Sequence, residues 1–323
     1  MPSRLEELKD AIRKALPDLD MVLAWGQGPD SLRRKPLFIV SQTDIDKIVW
    51  DPCCSPNLAG YLTGLRGKKV GIVVKGCDCR SVVELIQEKL VDRAEVTIFG
   101  LHCEGTITPA KVRAALPGDA RGAFGDCRLS DGQIRFAPDT PLQNLAASDA
   151  LYDKCLRCAE PNAGLCDYFI GERGTPPPVS TAPPDTLERL GAMSLEERFR
   201  FWEQAMDRCV RCYACRNACP LCVCKDHCLA QSRDPHWLDQ TDHPREKLMF
   251  QVIHALHTAG RCVECGECER ACPMGLPVMA LKRALNRQIS ELFDYRAGLD
   301  PEAIPPLFTF REEEDRIGEK KWL

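Results

Sequence analysis

One spacing of cysteines occurs twice in this chain. Cys209, Cys212, Cys215 and Cys219 are followed by Pro220, and Cys262, Cys265, Cys268 and Cys272 are followed by Pro273. The stretch around the first run, RCVRCYACRNACPLCVCKDHC at 208–228, holds seven cysteines, more than a single metal centre can use. Twenty cysteines in 323 residues need an occupation. The N-terminal segment MPSRLEELKDAIRKALPDLD is charged and amphipathic, with Leu5, Leu8, Ile12 and Leu16 on one face, unlike a signal or transit peptide. No apolar run approaches the roughly 18 residues of a membrane span. A cytoplasmic location is expected, and there thiols stay reduced, so ligation of metal or iron–sulfur clusters is the reading that occupies them.

The repeated spacing suits a cubane. Three thiolates on one tight turn hold three irons, and the fourth cysteine points away to reach the neighbouring cluster. Cys209, Cys212, Cys215 and Cys272 are therefore assigned to cluster 1, and Cys262, Cys265, Cys268 and Cys219 to cluster 2. Zinc is the alternative, but zinc sites usually join two C-x2-C pairs rather than a triplet with a cross-over. Both runs match that of bacterial two-cluster ferredoxins. The long insertion between them, with its helix, resembles the dicluster domains of the heterodisulfide reductase C subunit and the succinate dehydrogenase iron–sulfur subunit, over about residues 194–290.

Elsewhere the pattern divides at TPPPVSTAPPD (175–185), an extended proline-rich linker. Before it strands and helices alternate. KKVGIVVKG reads as a buried strand, followed by a helix at SVVELIQEKL with Ser81 and Glu84 as a capping box, and AEVTIFGLH as the next strand, parallel to the first. Thr108-Pro109 opens another helix, MVLAW and PLFIV can add strands, and SDGQIRF reads as a hairpin turn. After the linker the pattern turns helical. Ser194 and Glu197 cap SLEERFRFWEQAMDRC, whose Phe199, Phe201 and Trp202 read as core, and PREKLMFQVIHALHTAG runs to a stop at Gly260. The expected fold is an α/β N-terminal domain with a mixed, partly parallel sheet (1–174), then the linker, an α-helical dicluster ferredoxin domain (186–295) and a docking tail (296–323). A net charge of −4 gives no electrostatic case for nucleic-acid binding.

The N-terminal half carries further cysteines at revealing places. Cys77 and Cys79 follow one strand, and Cys103 follows its parallel neighbour, at the sheet edge where open α/β sheets bind ligands. Cys155 and Cys158 add a C-x2-C pair, although buried free cysteine remains the plain alternative for the set. Lys75 and Gly76 could hold an anionic cofactor at the helix start, with a solvated lysine as the simpler reading. Cys54, Cys77, Cys103, Cys155 and Cys158, together with Cys222, Cys224 and Cys228, make eight thiols, enough for two more cubanes. Cys222, Cys224 and Cys228 with His227 could instead bind zinc. Cys53, Cys79, Cys127 and Cys166 are left as ordinary thiols or substitutes. His254 and His257 stand where they can tune cluster 2.

The turn at Gly76-Cys77, the GLHCEG turn, and CLRC followed by DYFIGE resemble the deazaflavin-reducing hydrogenase beta-subunit family, which includes formate dehydrogenase beta subunits, over about residues 50–175. The resemblance implies an iron–sulfur cluster, FAD as a possible cofactor, and electron exchange between flavin and clusters. The order departs from the family's, because here the dicluster region follows the flavoprotein-like one. The function expected is an electron-transfer subunit of a cytosolic redox complex, between a formate dehydrogenase or hydrogenase and a heterodisulfide-reductase-like flavoprotein. An FAD-containing oxidoreductase acting on a deazaflavin or nicotinamide cofactor is the alternative, and a zinc-binding interaction module a second.

Overall fold

The computed structural model describes residues 3–116, 127–137, 142–176, 184–224, 227–232, 239 and 241–309. Ser3 caps α1 (Arg4–Ala15) by accepting a hydrogen bond from the Glu6 amide. Glu6 and Glu7 begin that helix and Arg13 and Lys14 end it, complementing its dipole. Leu8 and Ile12 join the core of a five-stranded sheet. In that sheet β1 (Met21–Gln27) pairs antiparallel with β2 (Arg34–Ile39) and parallel with β3 (Val70–Val74). The chain then crosses through α2 (Gly76–Gln87) to β4 (Val96–Leu101), parallel to β3. All five residues of β3 are buried, as a continuous apolar run in a parallel sheet requires.

After α3 (Pro109–Ala114), a small antiparallel sheet forms from β5 (Cys127–Ser130), β6 (Gln133–Phe136) and β7 (Asn144–Ala146), with the expected hairpin at Asp131-Gly132. Two short helices follow, α4 (Ala147–Ala150) and α5 (Asp153–Leu156), before β8 (Tyr168–Ile170) closes the order β2-β1-β3-β4-β8. The mixed, partly parallel sheet is thus present.

One boundary differs with consequence. Helix α2 starts at Gly76, not near Ser81, because extended Lys75 is the cap and the Asp78 carboxylate accepts its amide at 3.3 Å. Ser81 lies inside the helix, donating to the Cys77 carbonyl and accepting from Asn57. Cys77 therefore belongs to the first helical turn rather than to a loop.

The linker residues 177–183 lie outside the described residues. Beyond them come α6 (Thr186–Gly191), α7 (Leu195–Asp207), α8 (Ala214–Asn217), α9 (Leu229–Ser232), α10 (Pro244–Leu256), α11 (Glu267–Arg270) and α12 (Met279–Phe293). The reciprocal Ser194–Glu197 box caps α7. Helices α7, α10 and α12 bury Trp202, Met206, Phe250, Ile253 and Met279 against one another, while Phe199 stays exposed. Helix α10 ends at Leu256, and Gly260, at φ +71°, lies in the turn that leads to Cys262. Among the described residues no strand follows Ile170, and no helix is long and apolar enough to cross a membrane.

The segment after α12 returns to the α/β half. Arg80 donates to the Ala297 carbonyl at 2.8 Å, and Gln87 donates to the carbonyls of Asp300 and Ala303. The expected tail thus lies on α2 as far as residue 303, and 310–323 are outside the described residues. Beneath this segment Glu84 is fully buried, and Tyr295 donates to it at 3.4 Å. Burial, and then Glu88, push the Glu84 carboxyl up to about 8. In the unfolded chain that group ionises near 4.5, so between these values the folded form holds the extra proton and stability falls as pH rises. Thermal unfolding followed from pH 6 to 8.5 should show this decline, and Glu84→Gln should flatten it.

Candidate metal centres

The two cysteine runs fold onto the same backbone path. Arg211 and Glu264, each one residue before the second cysteine of its run, have φ of +51° and +58°. Tyr213 and Gly266, each one residue after it, have φ of +59° and +75°. Left-handed residues of this kind, three of them carrying side chains, are held by their surroundings and concentrate at functional sites.

The cross-over read from the spacing is what the fold brings together. Cys209 and Cys215 both have Cys272 as an electrostatic neighbour, and Cys212 stands beside Cys209. Cys262, Cys265 and Cys268 each have Cys219. The sets differ in exposure. Cys262, Cys265 and Cys268 are all buried, whereas Cys212 is exposed. Burial pushes Cys262 up to about 11 and Cys265 and Cys268 well above the ordinary thiol value. Lys282 of α12 supplies a buried positive charge to Cys219, Cys262 and Cys268, anchored by donating to Thr258 Oγ1 at 2.7 Å.

A third quartet assembles in the α/β half. Cys77 from α2, Cys103 from the loop after β4, Cys155 from α5 and Cys158 just beyond it line one cavity of about 120 Å³. Their mutual neighbours close the set: Cys103 with Cys155 and Cys77, Cys77 with Cys158, Cys158 with Cys155. Burial pushes the Cys77 thiol up to about 12. The chain reaches this arrangement because Gly76 lets Glu160 pass; a Cβ there would stand 1.8 Å from the Glu160 carbonyl oxygen.

The third quartet touches the second. Lys154, beside Cys155, donates to the Cys265 carbonyl and lies over Gly266, where an added Cβ would come 2.8 Å from its Cδ. Burial alone would lower Lys154, yet Cys77, Cys155, Cys265 and Glu267 together raise it well above its ordinary value. The half-buried Lys154 ammonium thus serves both thiol sets.

The remaining expected ligands part company. Cys222 has Cys219, Cys228 and Cys224 as neighbours. Cys54 is not with them. It is fully buried beside Asp51, with its thiol donating to the Val49 carbonyl at 3.5 Å. Lys75 is neither solvated nor free for an anion: it pairs with Asp78 at 2.7 Å and lies over the Trp25 ring. The apolar strand ends around it bury it, and Glu160 covers Gly76, so the Lys75 charge expected for an anion is already taken up by Asp78. His254 stacks on Phe250, and neither of its ring nitrogens has a partner among the described residues; burial and Lys282 lower it to about 3.

These sites fit cubanes better than single ions. Zinc–sulfur bonds of about 2.3 Å would draw four sulfurs to within about 3.8 Å of one another. Among the described residues none of the three quartets closes within 4.8 Å. Among the described residues, Arg211, Arg216 and His254, set around the first two quartets, also keep buried nitrogens without partners, donors suited to an anionic group between them.

Comparison with known proteins agrees. Residues 205–276 match the 4Fe-4S dicluster domain family. The F420-dependent formate dehydrogenase subunit beta of Methanocaldococcus jannaschii is 25% identical over 349 residues, covering 90% of each chain. That of formate dehydrogenase 1 from Methanococcus maripaludis is also 25% identical, over 90% of this chain and 89% of the relative. The chain is thus similar to formate dehydrogenase beta subunits over nine-tenths of its length. A chain of the xenon-derivatised F420-reducing [NiFe] hydrogenase complex from Methanosarcina barkeri superposes with a TM-score of 0.43 at 14% identity, over 64% of this chain and 89% of that one.

Lys154→Met removes one positive charge between two thiol sets while keeping the stem that packs over Gly266. Iron content should hold. The midpoint potential of the nearest centre, followed by EPR-monitored redox titration, should move negative by on the order of 50–100 mV, the effect of a unit charge roughly 8–10 Å away at an effective dielectric near 20.

Proposed function

We propose that this chain is the iron–sulfur electron-transfer subunit of a cytoplasmic F420-dependent formate dehydrogenase or hydrogenase complex. The observation that carries the reading is the contact of Lys154 with Cys265, which sets the quartet of the α/β half beside the dicluster quartets. Bound 4Fe-4S clusters supply one-electron carriers. Cys77, Cys103, Cys155 and Cys158 would hold one, Cys262, Cys265, Cys268 and Cys219 the next, and Cys209, Cys212, Cys215 and Cys272 the last. The protein's own part is to bury Cys155 and Cys262, Cys265 and Cys268, to set half-buried Lys154 and buried Lys282 beside the first two sites, and to leave the last site open at Cys212. A heterodisulfide-reductase-like flavoprotein is the partner we assign to that open side, with exposed Val210 beside it.

A second observation favours FAD. A cavity of about 560 Å³ adjoins the third quartet at the carboxyl edge of β3 and β4, lined by Trp50, His102, Cys103 and Arg128 among others. Its size and position suit a planar redox cofactor, and the enzyme reading, with a deazaflavin as substrate, rests on it.

Anaerobic purification with iron, sulfide and flavin quantification tests both. About twelve irons and as many sulfides per chain are expected from three cubanes. About eight would remove the third, and zinc without sulfide would overturn the reading altogether. A flavin band at about 450 nm, bleached by reduced deazaflavin, supports the FAD site; a colourless extraction supernatant would remove it.

A further inference from the structure

Outside the quartets, two cysteines that the spacing left as ordinary thiols meet. Cys53 lies in the loop after β2, and Cys127 opens β5, yet their sulfurs stand 3.3 Å apart and both are buried. Asp51 completes the group. Its carboxylate and the two sulfurs fall within 4.8 Å of one another, and no other set of three or more such side chains closes this tightly among the described residues.

Distances favour an ion over a bond between the thiols. A disulfide would have to draw the sulfurs in by about 1.3 Å, to about 2.05 Å. A tetrahedral ion with zinc–sulfur bonds of about 2.3 Å holds two thiolates about 3.8 Å apart, an opening of only about 0.5 Å. A disulfide also has no use for the carboxylate, and here the carboxylate is already aimed. Arg34, itself buried, donates to Asp51 Oδ2 through Nε at 3.0 Å, and the Cys53 amide donates to Oδ1 at 2.8 Å. Ligating carboxylates are characteristically held in this way by a hydrogen-bonded neighbour. Charge balances as well: a dication, two thiolates, one carboxylate and one guanidinium sum to zero, so the group can stay buried.

We propose that Asp51, Cys53 and Cys127 bind a thiophilic divalent cation, zinc, with its fourth position facing the 560 Å³ cavity that Asp51 and Cys127 line. Three protein ligands with one open position is the arrangement of zinc sites that keep a water or take an exogenous ligand. Binding replaces the two thiol protons, which leave to solvent. It also fastens the small sheet to the loop after β2. The site does not depend on the iron–sulfur assignment.

The test uses the full chain, purified anaerobically from cells supplied with zinc. About one zinc per chain is expected, and its K-edge X-ray absorption should show two sulfur neighbours near 2.3 Å with oxygen or nitrogen completing the shell. The double variant Cys53→Ser/Cys127→Ser should lose at least tenfold in zinc with iron unchanged. Arg34→Lys should weaken zinc retention against a chelator by about ten- to hundredfold, as loss of such a neighbour does. Zinc below a tenth of an equivalent in the wild type would overturn the proposal. So would an edge spectrum of three sulfurs, which belongs to Cys222, Cys224 and Cys228, or a Cys53–Cys127 linked peptide in an unreduced digest. Should the double variant fail to fold, the wild-type edge spectrum decides by itself.

Discussion

A lysine set among thiols needs negative partners, and half-buried Lys154 finds them on both sides of the junction between the two halves. Cys77 and Cys155 belong to the α/β half, Cys265 and Glu267 to the helical one. Much of the local structure serves this contact. Gly76 admits the chain at Glu160, so that α5 can stand beside α2, and Gly266 takes a left-handed conformation beneath the lysine stem. Arg261 pairs with Glu88 across the same junction, and the segment after α12 binds α2. The interface is built from charges and backbone carbonyls as well as apolar packing. Such an interface fixes register more sharply than apolar area does, because a displaced charge is left buried and unpaired.

The cations beside these thiols answer a general difficulty. Thiols packed in this way resist ionisation, and burial raises Cys77, Cys103 and Cys158 in one inner quartet and Cys262, Cys265 and Cys268 in the other. Ligation needs thiolates. Lys154 and Lys282 lower the local cost of negative charge at these thiols, and would favour the more negative, reduced state of a redox centre held there. The exposed Cys212 side has less need of such help, because water is available there.

Legibility in the sequence followed locality. The eight cysteines of the two runs could be grouped from the sequence because their spacing is itself the geometry of a tight turn, and the fold sets Cys272 beside Cys209 and Cys215 and Cys219 beside Cys262, Cys265 and Cys268. Strands β1 to β4 were readable from apolar runs, and α7 from Ser194 and Glu197. The Cys77, Cys103, Cys155 and Cys158 set was visible only as separate sheet-edge positions, since three segments far apart in the chain build it. Lys154 gave no signal, for nothing in DKCLRC tells whether the lysine faces solvent or Cys265. The start of α2 was misplaced because Ser81 and Glu84 imitate a cap, while the true cap at Lys75 uses Asp78. Cys53 and Cys54, adjacent in sequence, face different surroundings. That choice belongs to the loop's packing and left no trace in composition.

The exchange of Cys219 and Cys272 between the two runs has one more consequence. Each quartet borrows its last thiol from the other turn, so neither turn is a complete binding unit. Ordering one places the missing donor of its twin, and losing one strips the other. If each quartet holds a cluster, the two would be expected to fill and empty together.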